Sequence, residues 1–260
     1  MRLMSNHKWH ISEREEEMRN GADSSPMKLL RYLTQAGVAS RRNCFAMVMD
    51  GQVELNGQAA REPSALVGPD DVVTVGGKPV APAAAFVYVM LNKPRGYVCS
   101  LSDPWGGKLA VDLIDLPGTR LFSVGRLDKD SEGLLLFTND GDYANRLAHP
   151  SHGTLKTYEV NVEAPISDQQ LRRLRGGVVD DGETLRPERI VRKSGVKYLF
   201  VLNEGKKREI RRLVRQAGTE VRRLRRLAVG CLELGGLAPG KWRQLGPEDL
   251  AKSLSNPEAP

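Results

Sequence analysis

Three acidic side chains fall within five residues of one predicted loop, and carboxylates so placed can serve in acid, base or nucleophilic chemistry. Asp128, Asp130 and Glu132 precede the apolar run Leu134–Phe137, which turn-forming residues follow at 139–141. The run is too short and too continuously apolar for a surface helix, so it predicts a buried strand. A rigid strand next to the loop would hold Asp128 in place and let it present a carboxylate to a substrate.

This acidic loop has three interpretations. Calcium binding is suggested by acids spaced as at the start of an EF-hand loop, but the twelfth position is Asn139, which cannot give a bidentate carboxylate, and an apolar strand replaces the exiting helix. A structural turn, with Arg126 and Lys129 neutralising the acids, is the ordinary role of a charged loop. The third interpretation is catalytic. The loop taken alone does not choose among them.

Cysteines and histidines give no sign of a metal centre. Cys44, Cys99 and Cys231 are far apart, so we interpret them as buried, reduced thiols rather than as a disulfide or metal framework. Two histidines precede residue 11 and two flank Pro150, where further nitrogen or sulfur donors for zinc are missing. We therefore predict that the protein has no catalytic metal.

The charge is concentrated near the C-terminal third. The formal net charge is +7 and the pI about 9.4, while residues 206–226 hold ten lysines or arginines against two acids, a net +8. Such a segment favours a polyanionic partner, although a solvated basic face is the commoner meaning. Helical spacing over Lys207–Ala217 separates an apolar stripe from an arginine stripe that includes Arg208, Arg211, Arg212 and Arg215. Arg211 is at the edge of its stripe, where a half-buried guanidinium could meet a carboxylate.

The pattern divides the chain into a small and a large unit. Residues 1–26 have no apolar stripe and are predicted to be a flexible tail. Residues 27–78 predict two short helices followed by hairpins, and residues 79–85, rich in Pro and Ala, predict a linker. Arg41 and Arg42 lie in the first turn of the second helix, where the helix dipole disfavours cations. They are either tolerated, screened charges or a phosphate clamp.

Residues 86–250 predict the larger unit, a mixed, mainly antiparallel sheet with helices, so that the class is α+β. The predicted strands are Phe86–Leu91, Tyr97–Ser100, Leu121–Val124, Leu134–Thr138, Thr157–Val162 and Lys197–Leu202, and the helices are Ala144–Leu147, Ser167–Leu174 and Lys207–Ala217. Residues 251–260 are predicted to be a flexible C-terminal tail. No apolar run approaches the roughly 20 residues that span a bilayer, and we expect a cytoplasmic protein without membrane contact.

Two resemblances follow from motifs rather than from composition. The segments "LTQAGVASRR" (33–42) and "GQVELNG" (51–57) resemble the S4 RNA-binding domain, which implies RNA as the ligand but no reaction. The acidic loop, as Gly125-Arg126-Leu127-Asp128 followed by Asp130, Ser131 and Gly133, resembles the signature of ribosomal-RNA pseudouridine synthases. Blocks resembling those of that family follow the same order: Asn92–Gly96 with Ser100 and Asp103, Ala144–Pro150, Lys156–Val160 and Glu204–Leu213.

This second resemblance implies an isomerase that detaches uracil from C1′ of a uridine within RNA and rejoins it through C5, without a cofactor. It implies that Asp128 is the essential aspartate, that Tyr158 stacks on the target base and that Arg211 pairs with Asp128. We expect ribosomal RNA as the partner of a monomer, with a weak lean to the large subunit from the Arg208-Glu209 pair. Glu209 stands where many members of the family have glutamine. The residues expected to bind RNA are Arg41, Arg42, Arg126, Lys156, Lys207, Arg208, Arg212 and Arg226.

Two other functions remain open at this point. A non-catalytic RNA-binding or assembly protein could be built from an S4 clamp and an inactive synthase domain, and basic charge fits it equally well. A carboxylate hydrolase would cut the glycosidic bond and release free uracil instead of rejoining it. An intact set of Asp128, Tyr158 and Arg211 is the feature that favours the isomerase over a protein that only binds.

Overall fold

A computed structural model describes residues 25–83, 85–101 and 106–257 of the chain. These residues form two compact units, 25–83 and 85–257. The tail predicted for residues 1–26 lies almost entirely outside the described residues, as do Asp103 and the last three residues. No helix among the described residues is long and apolar enough to cross a membrane.

The first unit consists of two helices and small antiparallel sheets. Its elements are β1 (Met27–Lys28), α1 (Leu29–Gln35), α2 (Arg41–Met49), β2 (Val53–Leu55), β3 (Gln58–Ala59), β4 (Leu66–Val67), β5 (Val73–Val75) and β6 (Lys78–Val80). Ser40 caps α2, because its hydroxyl accepts the Asn43 backbone N–H at 3.2 Å. Leu29 and Leu33 of α1 and Cys44 and Val48 of α2 are buried in one core. The prediction of two helices followed by hairpins is confirmed.

The second unit is built on one large sheet with helices. Its strands are β7 (Tyr88–Lys93), β8 (Phe122–Val124), β9 (Glu132–Thr138), β10 (Lys156–Val162), β11 (Val178–Asp180), β12 (Glu183–Leu185), β13 (Arg189–Ser194), β14 (Lys197–Leu202), β15 (Val221–Val229), β16 (Leu232–Glu233) and β17 (Trp242–Gln244). Its helices are α3 (Gly141–Ala148), α4 (Asp168–Gly176), α5 (Glu209–Gln216) and α6 (Pro247–Leu254). Short 3-10 turns cover Val111–Leu113 and Pro150–His152.

The large sheet has the strand order β13-β14-β10-β15-β9-β7-β17, with β16 beside β15 and β8 beside β9. Among the described strands, β15 and β9 form a parallel pair and the other neighbours in this order are antiparallel. The expected mixed, mainly antiparallel sheet is therefore confirmed.

The middle of strand β9, residues 134–137, is continuously apolar because both faces of the sheet are covered there. Leu135 and Phe137 belong to one core, while Leu134 and Leu136 belong to a second core on the other face. Alternate side chains point to opposite faces of a strand, so the part of a strand that is covered on both sides favours apolar residues at consecutive positions. This explains the continuous apolar run that predicted a buried strand after the acidic loop.

Two predictions about the elements were wrong, and the strand at 221–229 was not predicted. Residues 97–100 do not form a strand but only an isolated bridge between Val98 and Leu109. The basic segment 221–229 is the central strand β15. The C-terminal tail begins later than predicted, because α6 continues to Leu254, and its Ser253 is fully buried with Oγ 2.9 Å from the hydroxyl oxygen of Tyr143. The apolar side chains of Leu250 and Leu254 anchor this helix against the second core.

The parallel contact between β9 and β15 depends on Gly133. This glycine has a φ of +106°, and a Cβ on it would overlap with the backbone of Arg226 on the neighbouring strand. We expect Gly133→Ala to lower the free energy of unfolding by about 3 kcal/mol or more, since both the strand backbone and the φ resist the change. Gly195→Ala, where a Cβ would meet nothing within 4 Å, should stay within about 0.5 kcal/mol. Urea unfolding checks both, and similar midpoints would contradict the packing argument.

Candidate active site

A cavity of about 720 Å³ lies between the acidic loop, strand β10 and the start of α5. Asp128 and Tyr158 both line it, although thirty residues separate them in the chain. Three of the basic residues expected to bind RNA, Arg126, Lys207 and Arg208, also line this cavity, and all three are exposed. The structure thus brings together a carboxylate, an aromatic ring and a basic rim. The volume is in the range of sites that bind small organic groups.

The loop that carries Asp128 is tied to a buried lysine. Lys93, at the end of β7, has no solvent exposure, and its Nζ donates hydrogen bonds to the backbone oxygens of Asp128 at 3.1 Å, Ser131 at 2.7 Å and Pro94 at 3.2 Å. Burial lowers the pKa of Lys93, and the negative charges of nearby groups, including Asp128 and Asp130, act in the opposite direction. The two contacts to Asp128 and Ser131 fix the loop backbone on both sides of residues 129 and 130.

Further contacts hold the same loop from the segment after β7. The Gly96 N–H donates to the Lys129 carbonyl at 2.7 Å. The Cys99 Sγ accepts the Leu127 N–H at 3.3 Å and can donate to the Leu127 carbonyl at 3.2 Å. All three cysteines are free thiols, but Cys99 and Cys231 are only partly buried, which corrects the expectation that all three are buried.

Arg211 does not form the predicted ion pair with Asp128. Its Nη2 lies 2.8 Å from the Asp130 carboxylate and donates to the Asp130 carbonyl at 3.3 Å, and its Nη1 donates to Val221 O at 3.4 Å. Arg211 is 7% exposed, so burial lowers its pKa while the charge of Asp130, and to a lesser extent that of Asp128, raises it. The anionic partner of Arg211 is thus Asp130, two residues after the predicted Asp128. The conformation of the loop directs the Asp130 side chain toward α5.

Tyr158 is held on strand β10, which lines the cavity together with the acidic loop and the start of α5. It is 8% exposed, it lies on β10, and its register partners are Phe200 on β14 and Arg226 on β15. A ring fixed in the middle of a sheet has little freedom to move, so its accessible edge or face offers a rigid platform.

The start of α5 has an unusual backbone. Arg208 precedes the helix with φ 53° and ψ 32°, a left-handed conformation that costs energy for a residue with a side chain. Its neighbour Glu209 is buried, and one carboxylate oxygen accepts the Lys206 N–H at 3.0 Å, while the other has no partner among the described residues. Burial raises the pKa of Glu209. The turn therefore aims Arg208 into the cavity and anchors itself with Glu209.

The remaining basic residues expected to bind RNA have different surroundings. The guanidinium of Arg212 is engaged by Asp180 and Glu183 of the β11–β12 hairpin, which leaves it poorly placed to contact phosphate. Lys156 and Arg226 line a second cavity that adjoins the first. Arg41 and Arg42 are exposed on α2 of the first unit.

Sequence reasoning missed the roles of Lys93 and Asp130. Lys93 had a signal, since this lysine directly continues a mostly apolar strand, 88–93. Asp130 had none, because two acids in one loop look equivalent until the loop conformation is known. Among the described residues, no group of three or more His, Cys, Asp or Glu side chains is arranged to hold a metal ion.

Comparisons with known proteins give the class to which this fold and this cavity belong. The family model described as RNA pseudouridylate synthase matches residues 87–216, and the S4 domain model matches residues 27–73. A crystal structure of a pseudouridylate synthase superposes with a TM-score of 0.65 at 26% identity, covering 87% of this chain and 99% of that one.

Curated relatives agree over nearly the whole length. An uncharacterised RNA pseudouridine synthase of Aquifex aeolicus is 40% identical over 233 residues, which are 87% of this chain and 93% of the relative. Ribosomal large subunit pseudouridine synthase B of Bacillus subtilis is 33% identical over 231 residues, 86% of this chain and 94% of the relative. The chain belongs to the RNA pseudouridine synthase family, and it is an isomerase with an N-terminal S4 domain.

Replacing Lys93 tests how the acidic loop is held. Lys93→Met fills similar volume but leaves three carbonyls without their donor, so we expect the free energy of unfolding to fall by about 3 kcal/mol, together with a loss of isomerase activity. Lys193→Met, at an exposed site on β13, should change neither. Urea unfolding and single-turnover assays at a temperature where the variant is folded would separate the effects. A folded variant with full activity would contradict the role of Lys93.

Proposed function

We propose that this enzyme converts a specific uridine of ribosomal RNA to pseudouridine, that Asp128 is its catalytic residue, and that large-subunit RNA is the first substrate to test. The observation that carries the proposal is that Asp128 and Tyr158 line one cavity with a basic rim. The relative named as a large-subunit synthase supports the choice of RNA, as does the weak lean from Arg208 and Glu209.

The chemistry places specific demands on Asp128. Either attack on C1′ or removal of a sugar proton can begin the isomerisation, and each needs an ionised carboxylate at the sugar of the target nucleotide. Asp130 takes the ion pair with Arg211, so the Asp128 side chain is left to face the cavity. The positive charge of Arg211 still acts on Asp128, since the two groups influence each other electrostatically. Arg211 thus acts as a positioning residue, because it holds the loop through its ion pair with Asp130.

The target base must leave the helical stack to reach a carboxylate inside a cavity. Flipping costs a few kcal/mol, which stacking on an aromatic ring and contacts to the backbone offset. Tyr158 provides the ring, and Arg126, Lys207 and Arg208 provide charges around the opening. After the glycosidic bond breaks, the same ring can retain the detached uracil while it turns to present C5, so that the base rejoins instead of leaving.

The alternatives predict different products. A protein that only binds RNA would need neither the buried Arg211–Asp130 pair nor the lysine that fixes the loop, and a hydrolase would release uracil. We propose that the enzyme acts as a monomer, and we place the reaction in the cytoplasm, where ribosomal RNA is available. The S4 unit, with Arg41 and Arg42, is proposed to bind RNA near the target.

The Asp128→Asn substitution tests the catalytic assignment. It keeps the size of the side chain but removes the charge, so we expect the single-turnover rate of pseudouridine formation to fall at least about 10³-fold, with RNA affinity and unfolding midpoint little changed. Asp115→Asn, at an exposed position, is the matched control and should keep full activity. Turnover of the Asp128 variant near the wild-type rate would refute the assignment.

Comparison of cells with and without the gene tests the substrate. We expect pseudouridine mapping across both ribosomal subunit RNAs to show the loss of a specific site, in large-subunit RNA, that returns when the wild-type gene but not the Asp128→Asn gene is restored. Loss of a site in small-subunit RNA would overturn the choice of subunit. An unchanged map of both RNAs would overturn ribosomal RNA as the substrate.

A further inference from the structure

A second cavity, of about 170 Å³, adjoins the first. The two share Gly125, Arg126, Tyr158 and Gly205 in their walls. The second cavity is otherwise lined by apolar side chains, some of them from the end of α3, together with Lys156, Glu204 and Arg226. Two of the three cations in this small cavity, Lys156 and Arg226, are at least partly buried, which is an uncommon arrangement because each loses hydration and each repels the other.

Arg226 is buried with unused hydrogen-bonding capacity. It is 4% exposed, and its Nε donates to the Leu134 carbonyl at 2.6 Å. Its Nη2 is buried and has no hydrogen-bond partner among the described residues. The close contact of its backbone with Gly133 fixes where this strand lies. A guanidinium with an unpaired buried nitrogen costs stability unless an acceptor enters the cavity.

Lys156 is partly buried and also has unused hydrogen-bonding capacity. The Nζ donates only a long hydrogen bond of 3.4 Å to Asn203 O among the described residues. Burial, and then the charge of Arg226, lower the pKa of Lys156 to about 8. Glu204 also lines the cavity, but its carboxylate accepts from Lys206 at 2.6 Å. The charges of Lys156 and Arg226 are therefore not neutralised by a bonded carboxylate in the described part of the chain.

We propose that this cavity binds a phosphodiester group of the RNA strand adjacent to the nucleotide held at Tyr158. The proposal rests on the proposed function, because only an enzyme that binds a flipped nucleotide at Tyr158 would bring the neighbouring phosphate to this cavity. An anion satisfies the unpaired Arg226 nitrogen and the Lys156 ammonium and removes their mutual repulsion. Because Tyr158 lies in the wall of both cavities, a base on one side of the ring and its phosphate on the other would fix the strand at the reacting nucleotide.

The site has a characteristic pH dependence. The titratable and charged groups that line the cavity with Lys156 are Tyr158 on its own strand, Arg226 on β15, Arg126 after β8 and Glu204 after β14. A bound anion favours the charged ammonium, so RNA affinity should fall as the pH rises through about 8. Lys156→Arg keeps the charge at every pH used and should lack this dependence. Titration of uracil itself affects both proteins equally and cancels in the comparison.

Binding of an RNA hairpin that contains the target uridine tests the proposal. Fluorescence anisotropy would compare the wild type with Lys156→Met, Lys156→Arg and the exposed-site control Lys193→Met. We expect Lys156→Met to bind about tenfold more weakly and to reduce the slope of log affinity against log salt by about one, while Lys193→Met changes neither. Because Lys156→Met removes a partly buried charge that has no bonded carboxylate, the variant should unfold at the same or a higher temperature than the wild type. If Lys156 only stabilised the fold, the variant would unfold at a lower temperature.

Neutral methylphosphonate linkages placed one at a time beside the target uridine identify the group that is bound. One linkage should cost the wild type about tenfold in affinity and cost Lys156→Met little, since the two changes remove the same contact. Equal costs in both proteins at every linkage, or an unchanged salt slope, would overturn the proposal and indicate a base or sugar contact. The measured quantity is binding affinity, so the outcome for the phosphate site is independent of whether the hairpin is isomerised.

Discussion

The position of the acidic loop depends on one buried ammonium group. Lys93 is fully enclosed, and an isolated lysine there would be strongly destabilising. Three backbone carbonyls and the acids of the loop offset that cost, and the compensation works only if the loop keeps one conformation. The interaction thus links folding to the site, because the chain reaches a stable state only when the backbone of residues 128 and 131 is in place. Rigid positioning of a reactive group is a large part of what an enzyme contributes to catalysis.

Asp128 and Asp130 have different tasks despite their closeness in the sequence. Asp130 pairs with the buried Arg211 and connects the loop to α5, whereas Asp128 lines the cavity. A carboxylate fully engaged by a guanidinium would be a weaker nucleophile or base, because its lone pairs would be occupied by hydrogen bonds. Moving the ion pair to Asp130 keeps a positive charge near Asp128 without covering it. The predicted pair of Asp128 and Arg211 identified the correct arginine but assigned the contact to the wrong acid.

Much of the fold and part of the site could be predicted because they follow local periodicity. The apolar run of β9, the helical stripe of α5 and the turn signals between strands each depend on neighbours in the sequence. Strand β15 could not be predicted in this way, since its arginines at 222, 223, 225 and 226 hide the alternation, and only the structure shows that Arg226 points inward while Arg222 is exposed. Helix α6 was missed because it is stabilised by a distant partner, Tyr143. Asp130 and Lys93 likewise acquire their roles from contacts across the sheet.

The basic segment 206–226 illustrates why a charge count overstates the surface available to RNA. Arg212 is held by Asp180 and Glu183, Arg215 by Glu220 and Arg223 by Glu132. Arg211 and Arg226 are buried. What remains toward the main cavity is a small set: Lys207, Arg126 from the acidic loop, and Arg208, whose Nη1 lies 3.7 Å from the Asp130 carboxylate. A few charges fixed around an opening orient a strand better than a diffuse basic face, because long-range attraction is screened within about 10 Å whereas direct contacts to phosphate also fix register. The specificity of this enzyme is therefore expected to come from how these few cations and the Tyr158 ring are held, and less from its overall positive charge.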